Sequence, residues 1–103
     1  MSVLAELSMF PMDKGVSLSP YVARAVSIIE QSGLNHQLHA MGTLIEGDWQ
    51  EVMQVVNSCF QDLSRESDRV YLVLKIDYQA GKSGRLSGKV KSVEDKLGHR
   101  QEA

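Results

Sequence analysis

Val70-Tyr71-Leu72-Val73-Leu74-Lys75-Ile76-Asp77 is a run in which two unlike sets of side chains alternate. Successive side chains of a strand point to opposite faces, so Val70, Leu72, Leu74 and Ile76 share one face and Tyr71, Val73, Lys75 and Asp77 the other. With Arg69 ahead of it, the stretch predicts the strongest strand in the chain, because β-branched and aromatic residues fit a pleated, half-buried surface. The same period recurs near the start, where Val3, Ala5, Leu7 and Met9 alternate with Leu4, Glu6 and Ser8 before Pro11 closes the strand.

Between these strands the period changes. Ser19 and Pro20 form an N-cap and first-turn pair, and Val22, Ala25, Val26 and Ile29 then fall on one helical stripe that Gly33 ends. Residues 36–41 and 43–47 are two short β-like runs divided by Gly42, a hairpin or bent pair of strands. Asp48 and Glu51 make a capping-box variant ahead of the stripe Val52, Val55, Val56, Cys59 and Leu63, which predicts a second helix. From Gln79 to Gly88, three glycines among polar residues predict a loop, the most mobile internal segment. Leu86, Val90, Val93 and Leu97 then predict a short C-terminal helix with one narrow apolar edge, stopped by Gly98, with His99 in a fraying tail.

The order β, α, β, β, α, β is the split βαβ arrangement of an α+β fold, with two right-handed crossovers setting both helices on one face of a four-stranded antiparallel sheet. The other face is then expected to be bare and to carry Glu6, Ser8, Tyr71, Val73, Lys75 and Asp77. Such a surface is too apolar for ordinary solvent exposure and too charged for sealed core, so it points to a ligand or partner.

The 103 residues, 43% hydrophobic and 23% charged, suit one soluble domain over 1–103. No apolar run approaches the roughly 18–20 residues that cross a bilayer, and no basic leader precedes an apolar stretch. Eleven basic against thirteen acidic residues leave a formal charge of −2, which gives no general pull towards nucleic acid or anionic lipid. Cys59 is the single cysteine and cannot make an internal disulfide, which fits a reducing cytoplasmic compartment.

The chemistry-bearing residues narrow the choice further. Glu6 and Lys75 belong to neighbouring strands and one face, so they are expected to pair. Either the pair is structural, at a subunit contact, or the carboxylate accepts from a ring nitrogen or amino group of a ligand while Ser8 and Thr43 add neutral hydrogen-bonding groups. His36 and His39, three apart on a strand, point to opposite faces and do not converge on a metal. Gly81-Lys82-Ser83 has the end of a phosphate-binding loop, but Ile76 stands where its first glycine belongs. Lys82, Arg85 and Lys89 form a loose basic group that is either solvated or an anion site. Cys59 and Trp49 read as packing residues, and no nucleophile, acid and base stand together as a catalytic set.

Over nearly its whole length the chain resembles the small thiamine-binding protein family, the MTH1187 and YkoF-like group. The resemblance is carried by Glu6-Leu7-Ser8 with Pro11, Leu18-Ser19 with Tyr21-Val22, Ser32-Gly33-Leu34, Arg69-Val70-Tyr71, Leu74-Lys75-Ile76-Asp77 and Lys89-Val90-Lys91-Ser92-Val93. Its most specific stretch is Met41-Gly42-Thr43-Leu44-Ile45-Glu46-Gly47. It implies a ferredoxin-like fold that pairs through open sheet faces and commonly forms a homotetramer. It also implies non-catalytic binding of thiamine or its hydroxymethylpyrimidine half, in transport, salvage or buffering, with no further cofactor. Members often continue past Lys-Ile-Asp with another acid and paired arginines, where this chain has Tyr78, Gln79 and Ala80, so an anion-binding role there is not carried over. The expected site lies on the open sheet face or its rim, lined by Glu6, Ser8, Thr43, Tyr71 and Lys75, with Phe10 and Met41 as apolar walls. The competing expectation is a small enzyme or regulatory oligomer on the same fold, acting on another heteroaromatic ligand, since fold alone decides no function.

Overall fold

In the computed structural model, which describes residues 1–98, strand β1 (Ser2–Pro11) runs through the middle of the sheet with its odd-numbered side chains buried and its even-numbered ones half-buried. That alternation is the one its sequence predicts. Helix α1 (Ser19–Ser32) leads to β2 (Asn35–His39) and β3 (Gly42–Asp48), and α2 (Trp49–Ser64) to β4 (Val70–Tyr78); α3 (Arg85–Leu97) follows. The strands lie in the order β2-β3-β1-β4 and every neighbouring pair is antiparallel, the ferredoxin-like arrangement.

Val3, Ala5, Leu7 and Met9 of β1, Ile45 of β3, Ile29 of α1 and the Val52, Val55, Val56, Cys59 and Leu63 stripe of α2 form the core. Burial pushes the Cys59 thiol up to about 11, so it stays protonated and serves packing. Across the two helices, Arg24 grips Asp62 through two nitrogens and also reaches Glu66.

Several local expectations are corrected. Ser19 lies inside α1, whose N-cap is Leu18 without a side-chain cap; Leu18 offers its carbonyl to the Tyr21 and Val22 N–H groups instead. Asp48 does cap α2, but it accepts from Gln50 N–H rather than closing a reciprocal box with Glu51, and its other oxygen takes the N-terminal ammonium at 2.8 Å. Leu72, expected beneath the helices, is exposed, because the helices centre on β1 and β3 and leave the outer flank of edge strand β4 less covered.

The predicted loop ends at Gly84, not Gly88. Gly84 takes a left-handed conformation at φ 65° and α3 begins at once, its Arg85 N–H held by Glu46 Oε2 at 2.5 Å. Arg85 and Lys89 side chains both reach Asp77 Oδ2 at 2.5 Å. By strand register Glu46 and Asp77 flank Leu4 on the face away from α1 and α2, so α3 lies over that end of a face expected to be bare. The other end, towards Ser8, Phe10 and Tyr71, stays open. The apolar edge of α3 turns outward, with Val90, Val93 and Leu97 53%, 58% and 62% exposed. His99 lies outside the described residues.

Candidate functional site

The β1–β3 ladder ends where Leu7 stands opposite Thr43, yet β1 runs on for four residues beside β4. The sheet therefore has a notch, bounded by the end of β1, the turn between β2 and β3, and α1. A cavity of about 340 Å³ fills it, walled by Leu7, Met9, Val22, Ala25 and Ile29 and reached by Ser8, Phe10, His39, Met41 and Thr43. Clefts of roughly 300–1,000 Å³ with apolar walls and a few placed polar groups are the usual form of small-molecule sites. Thr43 is only 5% exposed, and neither its hydroxyl nor that of Ser8 is taken up by another described residue.

Ser8, Phe10, Met41 and Thr43 thus come together at the notch, while Glu6, Tyr71 and Lys75 lie beside it. Phe10 and Tyr71, paired across β1 and β4, stack with ring centroids 5.5 Å apart, so Tyr71 supports a cavity wall from behind. Glu6 stands on the open face opposite Lys75, and their charged atoms meet at 2.9 Å. The second Glu6 oxygen lies 3.2 Å from His39 Nε2. Hydrogen bonding and charge from Lys75, assisted by His39, hold the Glu6 carboxyl below its ordinary value.

One expected neighbour is on the other side of the sheet. Thr43 shares the helix-facing side with Leu7, so it and Glu6 do not line one surface; the parity of β3 against β1 sets this, and a strand's side chains cannot be turned singly. His36 and His39 do point to opposite faces, and His39 becomes the residue that both borders the cavity and touches Glu6. Sequence reasoning weighed it only as a metal ligand; the hairpin register was the signal that could have placed it beside Glu6. Glu46, which anchors α3, is buried in the structure; it falls in the specific stretch 41–47, but nothing in that stretch points to a helix beginning at Arg85.

The fold is that of an α+β protein with a ferredoxin-like sheet, notched by a cavity of small-molecule size beside a carboxylate-bearing face. The chain belongs to the family described as thiamine-binding protein, whose model matches residues 5–94. Among its relatives is the UPF0045 protein MJ1052 of Methanocaldococcus jannaschii, 34% identical over 91 residues that make up 88% of this chain and 91% of the relative. A crystal structure of that protein matches with a TM-score of 0.85 at 33% identity, covering 91% of this chain and 97% of the other. The UPF0045 protein MT1949 of Mycobacterium tuberculosis is 38% identical over 95 residues, 91% of this chain and 93% of the relative. A crystal structure of TM0486 from Thermotoga maritima, described as a proposed thiamine biosynthesis/salvage protein, matches with a TM-score of 0.79 at 26% identity and covers 90% of this chain and 99% of that one.

Proposed function

We propose that the protein binds thiamine or its hydroxymethylpyrimidine half without transforming it, in transport, salvage or buffering of the cofactor. The observation that carries this is the notch cavity: in a member of a family described as thiamine-binding, an apolar slot is reached by Ser8 and Thr43 and by His39, which holds the carboxylate of Glu6 at its rim. A flat heteroaromatic ring needs apolar faces for its area and edge groups for its nitrogens. In this reading the ring sits in the gap of the sheet, so Thr43 serves its edge from the helix-facing side and Ser8 from the open face, Phe10 and Met41 enclose it, and Glu6, held ionised by Lys75, accepts at the open-face rim from the ring's amino group or a protonated nitrogen. Tyr71 keeps Phe10 in place.

The working form in this proposal is a homo-oligomer, a dimer through the open sheet faces and then a tetramer. Exposed Tyr71 and Val73 on β4 and the outward edge of α3 support it, because a domain this small gains by burying such surface. A cytoplasmic location belongs to the same reading and is supported by the buried, unpaired thiol of Cys59.

Calorimetric titration with thiamine, its phosphates and hydroxymethylpyrimidine tests the function. Saturable one-site binding of thiamine or the pyrimidine is the expected result. Heat of dilution alone for the whole series would overturn it.

A further inference from the structure

The notch exposes more than side chains. Met12 N–H donates to Arg69 O at 2.7 Å, one step beyond the Pro11–Val70 pair of the β1–β4 ladder. In an antiparallel ladder a strand's peptide groups point alternately to its two neighbours. Even-numbered residues of β1 therefore turn N–H and C=O towards β4, and odd-numbered residues turn theirs towards β3. Gly42 agrees with this phase: a Cβ placed on it would stand 2.8 Å from Leu7 O. Leu7 meets Thr43, but the next odd residue, Met9, has no strand opposite, and neither of its peptide groups bonds to the turn at Ala40 and Met41. Pro11, which has no N–H to offer, falls in the same phase one step further on, where proline is tolerated because no ladder needs the donor.

Met9 is 7% exposed and borders the cavity, so its N–H and C=O form a donor and an acceptor side by side at the cavity wall. Buried peptide groups demand partners. A ring nitrogen next to an exocyclic amino group offers the complementary acceptor and donor at matching separation, as a missing strand would. We propose that the backbone of Met9 is the element that reads the ligand, pairing its N–H with a ring nitrogen and its C=O with the adjacent amino group of an aminopyrimidine. The proposal rests on the binding function above and adds its specificity: the amino group goes to Met9, Thr43 and Ser8 flank the same ring, and Glu6 is left to the protonated nitrogen on the far side. A pyrimidinone, which presents N–H and C=O in the opposite order, meets donor with donor and acceptor with acceptor, and this is the discrimination that unpaired buried groups make large.

The test uses the full chain with methionine amides isotope-labelled for NMR, and two probes: 4-amino-5-hydroxymethyl-2-methylpyrimidine and its 4-oxo counterpart. The amino compound is expected to shift the Met9 amide and slow its hydrogen exchange while leaving the Met12 and Met53 amides unmoved, and to bind at least about tenfold more tightly than the oxo compound. Replacing the Met9 amide N–H by an ester oxygen, through its α-hydroxy acid, removes a donor the ladder does not use and should weaken the amino probe by about tenfold with the fold intact. Binding of the amino probe with an unmoved Met9 amide, or equal affinity for both probes, would overturn this pairing while leaving the binding function standing. Failure of thiamine and both probes to bind would remove the function and the pairing together.

Discussion

Glu6 Oε1 lies 2.9 Å from Lys75 Nζ across the β1–β4 ladder, while Glu6 Oε2 lies 3.2 Å from His39 Nε2 at the edge of the notch. One carboxylate therefore joins an exposed cation on an edge strand to the residue that borders the cavity. Glu6→Gln keeps the shape and removes the charge. Its expected effect is an unchanged oligomeric state with affinity for thiamine or hydroxymethylpyrimidine lowered by about ten- to a hundredfold, the usual worth of a hydrogen bond to a charged group. Titration of variant and parent side by side decides it: equal affinities would leave the pair with Lys75 a structural role alone.

Gly42 should not tolerate a side chain. The added Cβ would meet the Leu7 carbonyl oxygen at 2.8 Å, which belongs to the central strand and cannot swing aside. Gly42→Ala is expected to destabilise the fold by about 1–3 kcal/mol, as overpacking does. At Gly47 the corresponding Cβ meets the end of the Leu34 side chain at 3.0 Å, which can rotate, so Gly47→Ala should cost less. Urea midpoints at constant slope measure both.

Acid should weaken the fold through carboxylates whose folded values are depressed. Glu6 is held low by Lys75, Asp13 by the Ser67 hydroxyl, Asp48 by the N-terminal ammonium, and Asp77 by Lys89 and Arg85. The unfolded chain binds protons more readily at these groups, so their contribution is fully present above the ordinary values of 3.8 and 4.5 and is lost as pH falls through the folded ones. Denaturation midpoints taken between about pH 6 and about pH 3 should therefore fall, and Asp77→Asn should flatten the slope. A midpoint independent of pH over that range would contradict it.

The outward edge of α3 is expected to be covered in solution. Light scattering at micromolar concentration should give a mass above that of one chain, and Val93→Asp, placing a charge on this exposed edge, should shift the population towards smaller species. A clean monomer for the parent would remove the oligomer from the functional proposal.

The hairpin and the notch mark the limit of what could be read in advance. Alternation in Val3–Met9 and Val70–Asp77 and the stripes of α1 and α2 were legible because burial on one side imposes a period on the sequence itself. The pairing of Glu6 with Lys75 followed from topology plus that period. Whether Thr43 stands on the open face or only at its rim is not legible in the sequence, because Gly42, which precedes it, leaves no side chain to carry the alternation across the turn, and parity there is set by pairing with β1.

By itself, then, the sequence determined the elements, their order, the core-facing residues of β1 and α2 and the family, all of which rest on local periodicity or continuous motif. Tertiary structure alone decided that α3 folds over one end of the open face, that His39 meets Glu6, and that β3 stops short of β1 to leave Met9 facing a cavity. Those features depend on where one strand ends relative to another and on contacts between residues as far apart as Glu46 and Arg85. No periodicity within a segment encodes such distances, because they are settled only when the strands pair and the last helix finds the carboxylates that hold it.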